Sequence, residues 1–296
     1  MKYRIFLIVT LIAFGSFSSF AQSNLLNSKS PDQIGKKTVD QLKEDDDKPL
    51  PYGYIEDRDV FYGKTVWEII DLDERVNLAL YYPIDTANIG SDRRSLYDVL
   101  TRAIKDGKLT EVYTDGYFNT KKTYKDVLSS LTKIDTSDIG REQYNAGLPI
   151  DPQYIIKTDL ASVDVTDYKI KGYWYFDKRQ SEMKYRLLGL CPVVPDVYTI
   201  GKDEQDYVEL FWIFFPAARE VLHDAYSFNN KNSAVPVSFD HLLNSRRFSA
   251  IIYKNENVYG DREINGYIQD NSQLQLLESE RLKEEIRNFE SDMWTY

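Results

Sequence analysis

Apolar and polar positions along the chain repeat with a period of two in some stretches and of 3.6 in others. From Asp59 to Ile70, β-branched and aromatic residues crowd together (Val60, Phe61, Tyr62, Thr65, Val66, Trp67), which predicts a strand. Asp71-Leu72-Asp73-Glu74 then has the spacing of a helix cap, Asp71 at the N-cap and Glu74 three residues on, and predicts a short helix that stops before Pro83. After Ser95, the residues Leu96, Val99, Leu100, Ala103 and Ile104 form one helical stripe ended by Gly107, and Leu109 to Tyr113 reads as a returning strand. Tyr124, Val127, Leu128 and Leu131 repeat the stripe on a third helix. Asp138 to Pro152, with Gly140, Gly147, Pro149 and Pro152, reads as a connector. Tyr173 to Pro192 reads as a β-hairpin with its polar turn at Asp177–Ser181, and Pro192 and Pro195 stop its second strand. Its first strand is aromatic on both faces, so other structure has to cover it. Gln273 to Trp294 is an amphipathic helix with a narrow stripe of Leu282, Ile286, Phe289 and Met293, and Arg281 and Glu285 at i, i+4.

The second half echoes the first. Ile69-Ile70 aligns with Phe214-Phe215, Val76 with Val221, and Tyr81 with Tyr226. Ser95-Leu96 and Val99-Leu100 then align with Ser238-Phe239 and Leu242-Leu243, and Val112-Tyr113 with Ile252-Tyr253. Each half would run strand, short helix, loop, amphipathic helix, strand. The expected fold is α+β, with two related strand–helix–strand units, a central β-hairpin and a C-terminal amphipathic helix. In residues this is a signal peptide at 1–21, a flexible acidic linker at 22–50, a first α+β unit at 51–147, a second unit with the hairpin at 148–272, and the terminal helix at 273–296.

The first 21 residues change the picture most. Lys2 and Arg4 precede the apolar run Ile5–Phe14, and Ser19-Phe20-Ala21 has the small–x–small form accepted before cleavage, here between Ala21 and Gln22. The run is shorter than the about 20 residues a bilayer span needs. The only cysteine, Cys191, is not at the cleavage point, so the expectation is an exported chain without a lipid anchor or membrane insertion of its own. Residues Glu44 to Lys48 before Pro49 and Pro51 read as solvated linker. The net charge of −10, with 47 acidic residues, argues against nucleic acid and anionic lipid, which reward Lys and Arg. One cysteine allows no internal disulfide, so stability has to come from packing or from assembly with other chains. The 23 tyrosines suit sheets, sugar platforms and interfaces equally, and do not choose among them.

Three stretches carry a family resemblance. They are Trp174-Tyr175-Phe176-Asp177-Lys178 continuing to Arg186-Leu187-Leu188-Gly189-Leu190-Cys191-Pro192, then Trp67-Glu68-Ile69-Ile70-Asp71-Leu72-Asp73-Glu74-Arg75-Val76-Asn77 running to Leu80-Tyr81-Tyr82-Pro83, and Phe214-Phe215-Pro216-Ala217-Ala218-Arg219. In these the chain resembles the GldN/PorN family of gliding-motility and type IX secretion proteins, over essentially the whole mature chain. Ala79 departs from the family pattern, which favours proline there. The resemblance implies a periplasmic structural subunit that binds the outer-membrane lipoprotein GldK/PorK and associates with its own copies in a ring. It also implies contact with the periplasmic region of the motor protein GldM/PorM, which works with GldL. It brings no catalytic residue.

The residues themselves support no catalytic site. A serine nucleophile needs a base and an orienting group; only His223 and His241 are available, neither in a recognisable motif, and both read as surface or capping histidines. Two separated histidines and one cysteine do not make a zinc site. Cys191, between Leu190 and Pro192, reads as a small packed residue. Asp203-Glu204-Gln205-Asp206 lacks the alternation and glycine of a calcium loop, and no phosphate-cradling glycine loop occurs. Paired carboxylates at the about 5–10 Å that glycosidases use are not excluded by sequence. The expectation is therefore no catalytic residue, cofactor or metal, and an interface drawn from Trp174, Phe176, Arg219, Leu282, Ile286, Phe289 and Met293. The competing class is a periplasmic glycan- or peptidoglycan-binding or -hydrolysing protein.

Overall fold

The predicted first strand is present as β1 (Val60–Asp71), the longest neighbour of the central hairpin. The computed structural model describes residues 48–85, 93–147, 151–196, 206–228 and 237–294, with Ser30, Pro149 and Thr199. The signal peptide with Ala21 and Gln22, most of the 22–50 linker, and most of the Asp203–Asp206 cluster lie outside the described residues. The chain continues through α1 (Leu78–Tyr81), α2 (Leu96–Lys105), β2 (Val112–Tyr113), β3 (Lys121–Lys122), α3 (Tyr124–Leu131), β4 (Thr132–Thr136), α4 (Asp138–Asn145) and β5 (Ile155–Asp159). The hairpin follows as β6 (Asp167–Asp177) and β7 (Glu182–Pro195), then β8 (Tyr207–Glu209), β9 (Trp212–Phe214), α5 (Phe215–Asp224), β10 (Tyr226–Ser227) and β11 (Val237–Ser238). The last elements are α6 (Phe239–Asn244), β12 (Ile251–Asn255), α7 (Ile264–Tyr267) and α8 (Ser272–Trp294). The fold is α+β.

Three local expectations are corrected. Asp71 belongs to the strand rather than capping a helix: its carboxylate accepts the Asp73 amide two residues on, at 2.8 Å, and the helix starts only after Asn77. The cause is long-range, because the Leu72 amide donates to Thr166 O and its side chain enters the core, holding the chain extended there. The 138–152 connector contains a helix, α4, capped by Ser137, whose hydroxyl accepts the Gly140 amide, and Gly140 itself is buried. Pro192 does not stop β7. Its carbonyl accepts the Leu210 amide, so its missing N–H faces the interruption between β8 and β9, where no ladder bond is lost.

Among the described residues the main sheet runs β12-β1-β6-β7-β9-β2-β3, with β8 also on β7, and every pairing is antiparallel. Segments 51–147 and 148–272 therefore share one sheet. Adjacent residues divide between its faces as the pleat requires. Leu190, Val112 and Ile213 join α2, α5 and α6 in the main core, around Leu96, Leu100, Phe215, Leu222, Phe239 and Leu243. Their neighbours Cys191, Tyr113 and Trp212 join Trp67 in a smaller core on the other face. Helix α8 seals one end, placing Leu282 and Ile286 against Val66, Ile252 and Ile264.

Some of the positions matched between the two segments fall at corresponding places about the hairpin, while Ile70 lies in a strand and its match Phe215 opens a helix. Strand β1 flanks β6 and β9 flanks β7, and each is followed outward by the closing strand of the other segment. Beside the hairpin pair Ile170–Leu190 lie Glu68 and Ile213, and beyond them Ile252 and Val112. Val112 and Ile252 are a pair that the sequence echo matches. Ser95 and Ser238, also matched, cap α2 and α6 by accepting the Asp98 and His241 amides. Both helices end with a left-handed residue, Gly107 at φ 70° and Arg246 at φ 49°.

Glycine adopts that conformation freely, whereas arginine bears a cost of about 1 kcal/mol. The offset comes from Glu68, which is 1 % exposed and receives both Arg246 terminal nitrogens at 2.8 Å. The guanidinium also lies 4.1 Å from the Tyr185 ring centre, and the Tyr185 hydroxyl donates to Glu68 Oε2 at 3.3 Å. Arg246→Gly relieves the backbone but strands a buried carboxylate, and is expected to lower stability by about 3 kcal/mol. Adding Glu68→Ile, the residue type at the matching Ile213, is expected to restore at least half of that. Urea denaturation of both variants measures the recovery; none would show that the pair contributes more than charge neutralisation.

Candidate functional site

The residues singled out as an interface are placed mainly inside this chain. Leu282 and Ile286 are buried in the core under α8. Phe289 stacks on Tyr62 with ring centres 4.2 Å apart, and Phe176, itself buried, meets Phe289 edge-on at 6.0 Å. Trp174 is half-buried against Tyr185, 5.0 Å away, and beside the Arg246 guanidinium. Met293 is half-buried on the last turn of α8. Arg219 forms a bidentate pair with Asp240 of α6 at 2.8 and 3.1 Å, while Tyr52 lies between its guanidinium and that of Arg186, 4.2 and 4.5 Å from the ring centre. The structure thus brings Phe176 and Phe289 together and leaves Arg219 on a separate face, paired at home.

The opposite face of the sheet is self-covered as well. The turn Asp115–Phe118 folds over Trp67, Trp212 and Cys191. Lys171 Nζ donates to Gly116 O at 2.9 Å and sits 5.0 Å from the ring centres of both Trp67 and Tyr117, and Lys254 stands at 4.8 and 4.9 Å from the same two rings. Burial holds the Lys171 ammonium below the ordinary lysine range. Phe118 fills the space left by Gly189, where a Cβ would come within 2.8 Å of its ring. Cys191 beneath is fully buried, and burial pushes its thiol well up, away from thiolate chemistry. His223 is half-buried on α5, and His241 is exposed in the first turn of α6. Among the described residues no three His, Cys, Asp or Glu side chains come close enough to hold a metal ion.

Exposed apolar side chains are scattered over the described surface, and the outer side of α8 holds a cluster of three. Carrying the buried stripe backward from Leu282 reaches Ser279 and Gln275 at helical spacing. Leu274, Leu276 and Leu277 fall off that stripe and face solvent, Leu277 at 64 % exposure. This was readable in the sequence as apolar residues outside the helical stripe, a signal the narrow Leu282–Met293 pattern obscured. Farther along, the outer face is occupied by ion pairs of Arg281 with Glu278 and Glu285, Lys283 with Glu280, and Arg287 with Glu284. Ser279 faces inward and accepts the Ile252 amide at 2.9 Å, which closes a donor on the outer strand β12.

A family model described as "Gliding motility associated protein GldN" matches residues 55–295. No curated protein matches the chain.

The two sides of α8 are separable by mutation. Phe289→Ala is expected to cost about 2–3 kcal/mol in the isolated chain, somewhat below the full value for a buried phenylalanine because the ring is half-exposed. Leu277→Ala is expected to stay within about 0.5 kcal/mol. Chemical denaturation of the two variants tests this, and a large loss at Leu277 would mean that its side chain is covered in solution.

Proposed function

Since this chain belongs to the GldN family, and so to the gliding-motility and type IX secretion machinery, we propose that it works there as a non-enzymatic structural subunit of a periplasmic ring. In this reading the leader pattern at 1–21 directs export. The outer-membrane lipoprotein GldK/PorK holds the subunit at the membrane, lateral contacts between copies extend the ring, and GldM/PorM meets it from the motor side. The family match across 55–295 carries the proposal. The solvent-facing leucines of α8 supply a surface for a lateral joint.

Magnitudes explain why such a subunit would depend on its lipoprotein. Fully burying a leucine contributes about 1.5–3 kcal/mol. Leu274 and Leu276 are already about half covered, and Leu277 about a third, so the three together offer roughly 3 kcal/mol. A 1 mM dissociation constant already requires about 4 kcal/mol. A joint of this kind fails in dilute solution and holds once copies are concentrated on one surface.

Deleting 273–296 is a poor test, because it would also strip Leu282 and Ile286 from the core and Ser279 from the Ile252 amide. The sharper test is the double substitution Leu274→Ser and Leu277→Ser, co-purified with the lipoprotein partner and sized by gel filtration and electron microscopy. The expected outcome is a chain of unchanged stability that still binds lipoprotein but yields smaller particles. Full-sized rings would place the lateral joint elsewhere. Full secretion and gliding in cells lacking the chain would remove the structural-subunit reading itself.

A further inference from the structure

Ahead of β1, the arm at residues 48–54 reaches the hairpin and helices α5 and α6. Leu50 and Tyr54 lie in solvent at 81 and 83 % exposure, while Tyr52 between them turns inward. Its ring lies between the guanidiniums of Arg219 and Arg186, and its hydroxyl donates to Asn244 Oδ1 at 3.1 Å. Arg186 also donates to Gly53 O at 3.3 Å. Burial pushes the Tyr52 phenol up, so it stays a donor near neutrality.

The socket that holds Tyr52 is built without the arm. Asp240, buried on α6, grips Arg219 in a bidentate pair and accepts the Asn244 amide nitrogen at 2.7 Å. One carboxylate thus fixes both a wall and the hydroxyl acceptor. Arg186 forms no ion pair among the described residues and meets the arm from the other side. With Tyr52 withdrawn, two guanidiniums would lose the aromatic ring between them, and Asn244 Oδ1 would lose its donor. A flat ring with a hydroxyl at its edge is the group this socket selects.

Every copy of the chain carries both the ring and the socket. The arm precedes the first strand, so moving Tyr52 into another copy leaves every pairing of the sheet in place. Residues 53–59, between Tyr52 and β1, reach up to about 23 Å when extended. Exchange of an identical element remakes the same contacts and costs little. A short tether gives the chain's own arm an effective concentration in the millimolar range, which wins in dilute solution. A neighbour held at comparable density competes with it on equal terms.

We propose that Tyr52 and the socket of Arg186, Arg219 and Asn244 form a joint that adjacent copies exchange, each arm seated in the next copy. The proposal rests on the ring reading for the crowding of copies. It adds to the leucines of α8 a contact in which one copy's arm completes the surface of another.

Two measurements test it. In the first, a peptide of residues 44–56 is titrated into the mature chain carrying Tyr52→Ala, with folding checked by circular dichroism. Binding is expected to be at least tenfold tighter than to the natural chain, whose own arm competes. It is also expected to be at least tenfold tighter than that of the same peptide bearing Tyr52→Ala. No binding, or equal binding to both chains, overturns the proposal. In the second, a photoreactive benzoylphenylalanine replaces Tyr54, and copies with ordinary and heavy nitrogen are mixed and irradiated, alone in dilute solution and in particles with the lipoprotein. Mass spectrometry is expected to find same-copy adducts in dilute solution and mixed-isotope adducts in the particles, the latter reduced at least tenfold by Tyr52→Ala. Particles with same-copy adducts only overturn the exchange and leave the ring reading standing. If the natural chain forms no particles, the ring reading fails by itself, and irradiation of the chain alone at millimolar concentration decides the exchange.

Discussion

The central hairpin has to be covered on both sides. Leu190 and Cys191 are neighbours in β7 and both are excluded from water, yet the pleat sends them to opposite faces. The same division holds at Val112 and Tyr113 and at Ile213 and Trp212. A sheet of this kind, apolar on alternate residues facing both ways, needs two layers over it. Helices α2, α5 and α6 provide one, and the aromatic turn at 115–118, fixed by Lys171, provides the other. With a single cysteine, these layers carry the stability that a disulfide cannot supply.

The two flanks of the hairpin differ in their chemistry. Where one side has Ile213 beside the hairpin and Gly107 ending its helix, the other has Glu68 and Arg246. The charged version is the more demanding one, since it combines a desolvated carboxylate with a left-handed arginine. It links three separate stretches of chain through one bidentate contact: β1, the hairpin at Tyr185, and the turn before β12. Breaking it from either side leaves a charge without its partner in a poorly solvated place.

Helix α8 shows how stability and association can be separated on one element. Its inner stripe belongs to the core, its middle outer turns are saturated with ion pairs, and its first turns carry apolar side chains in solvent.

Much of the secondary structure was legible because it depends on near neighbours. The stripe from Leu96 to Ile104, its Ser95 cap and Gly107 stop, the hairpin turn at 178–181, and α8 all rest on contacts within a few residues. Two elements failed to match where a distant partner outweighed the local signal: Thr166 held Leu72 extended beyond Asp71, and a gap between β8 and β9 made Pro192 harmless in a strand. The candidate interface followed the same rule. The amphipathic stripe of Leu282, Ile286, Phe289 and Met293 was correctly an apolar face, but periodicity does not say which surface covers it. The sequence by itself determined where the strongly periodic helices and the hairpin form, which of their faces are apolar, and the family to which the chain is similar. Only the tertiary structure decided that the terminal stripe is covered at home, that Leu277 is left outside, and that Arg246 closes on Glu68. Those outcomes depend on pairings between residues far apart in the chain, and no local spacing encodes them.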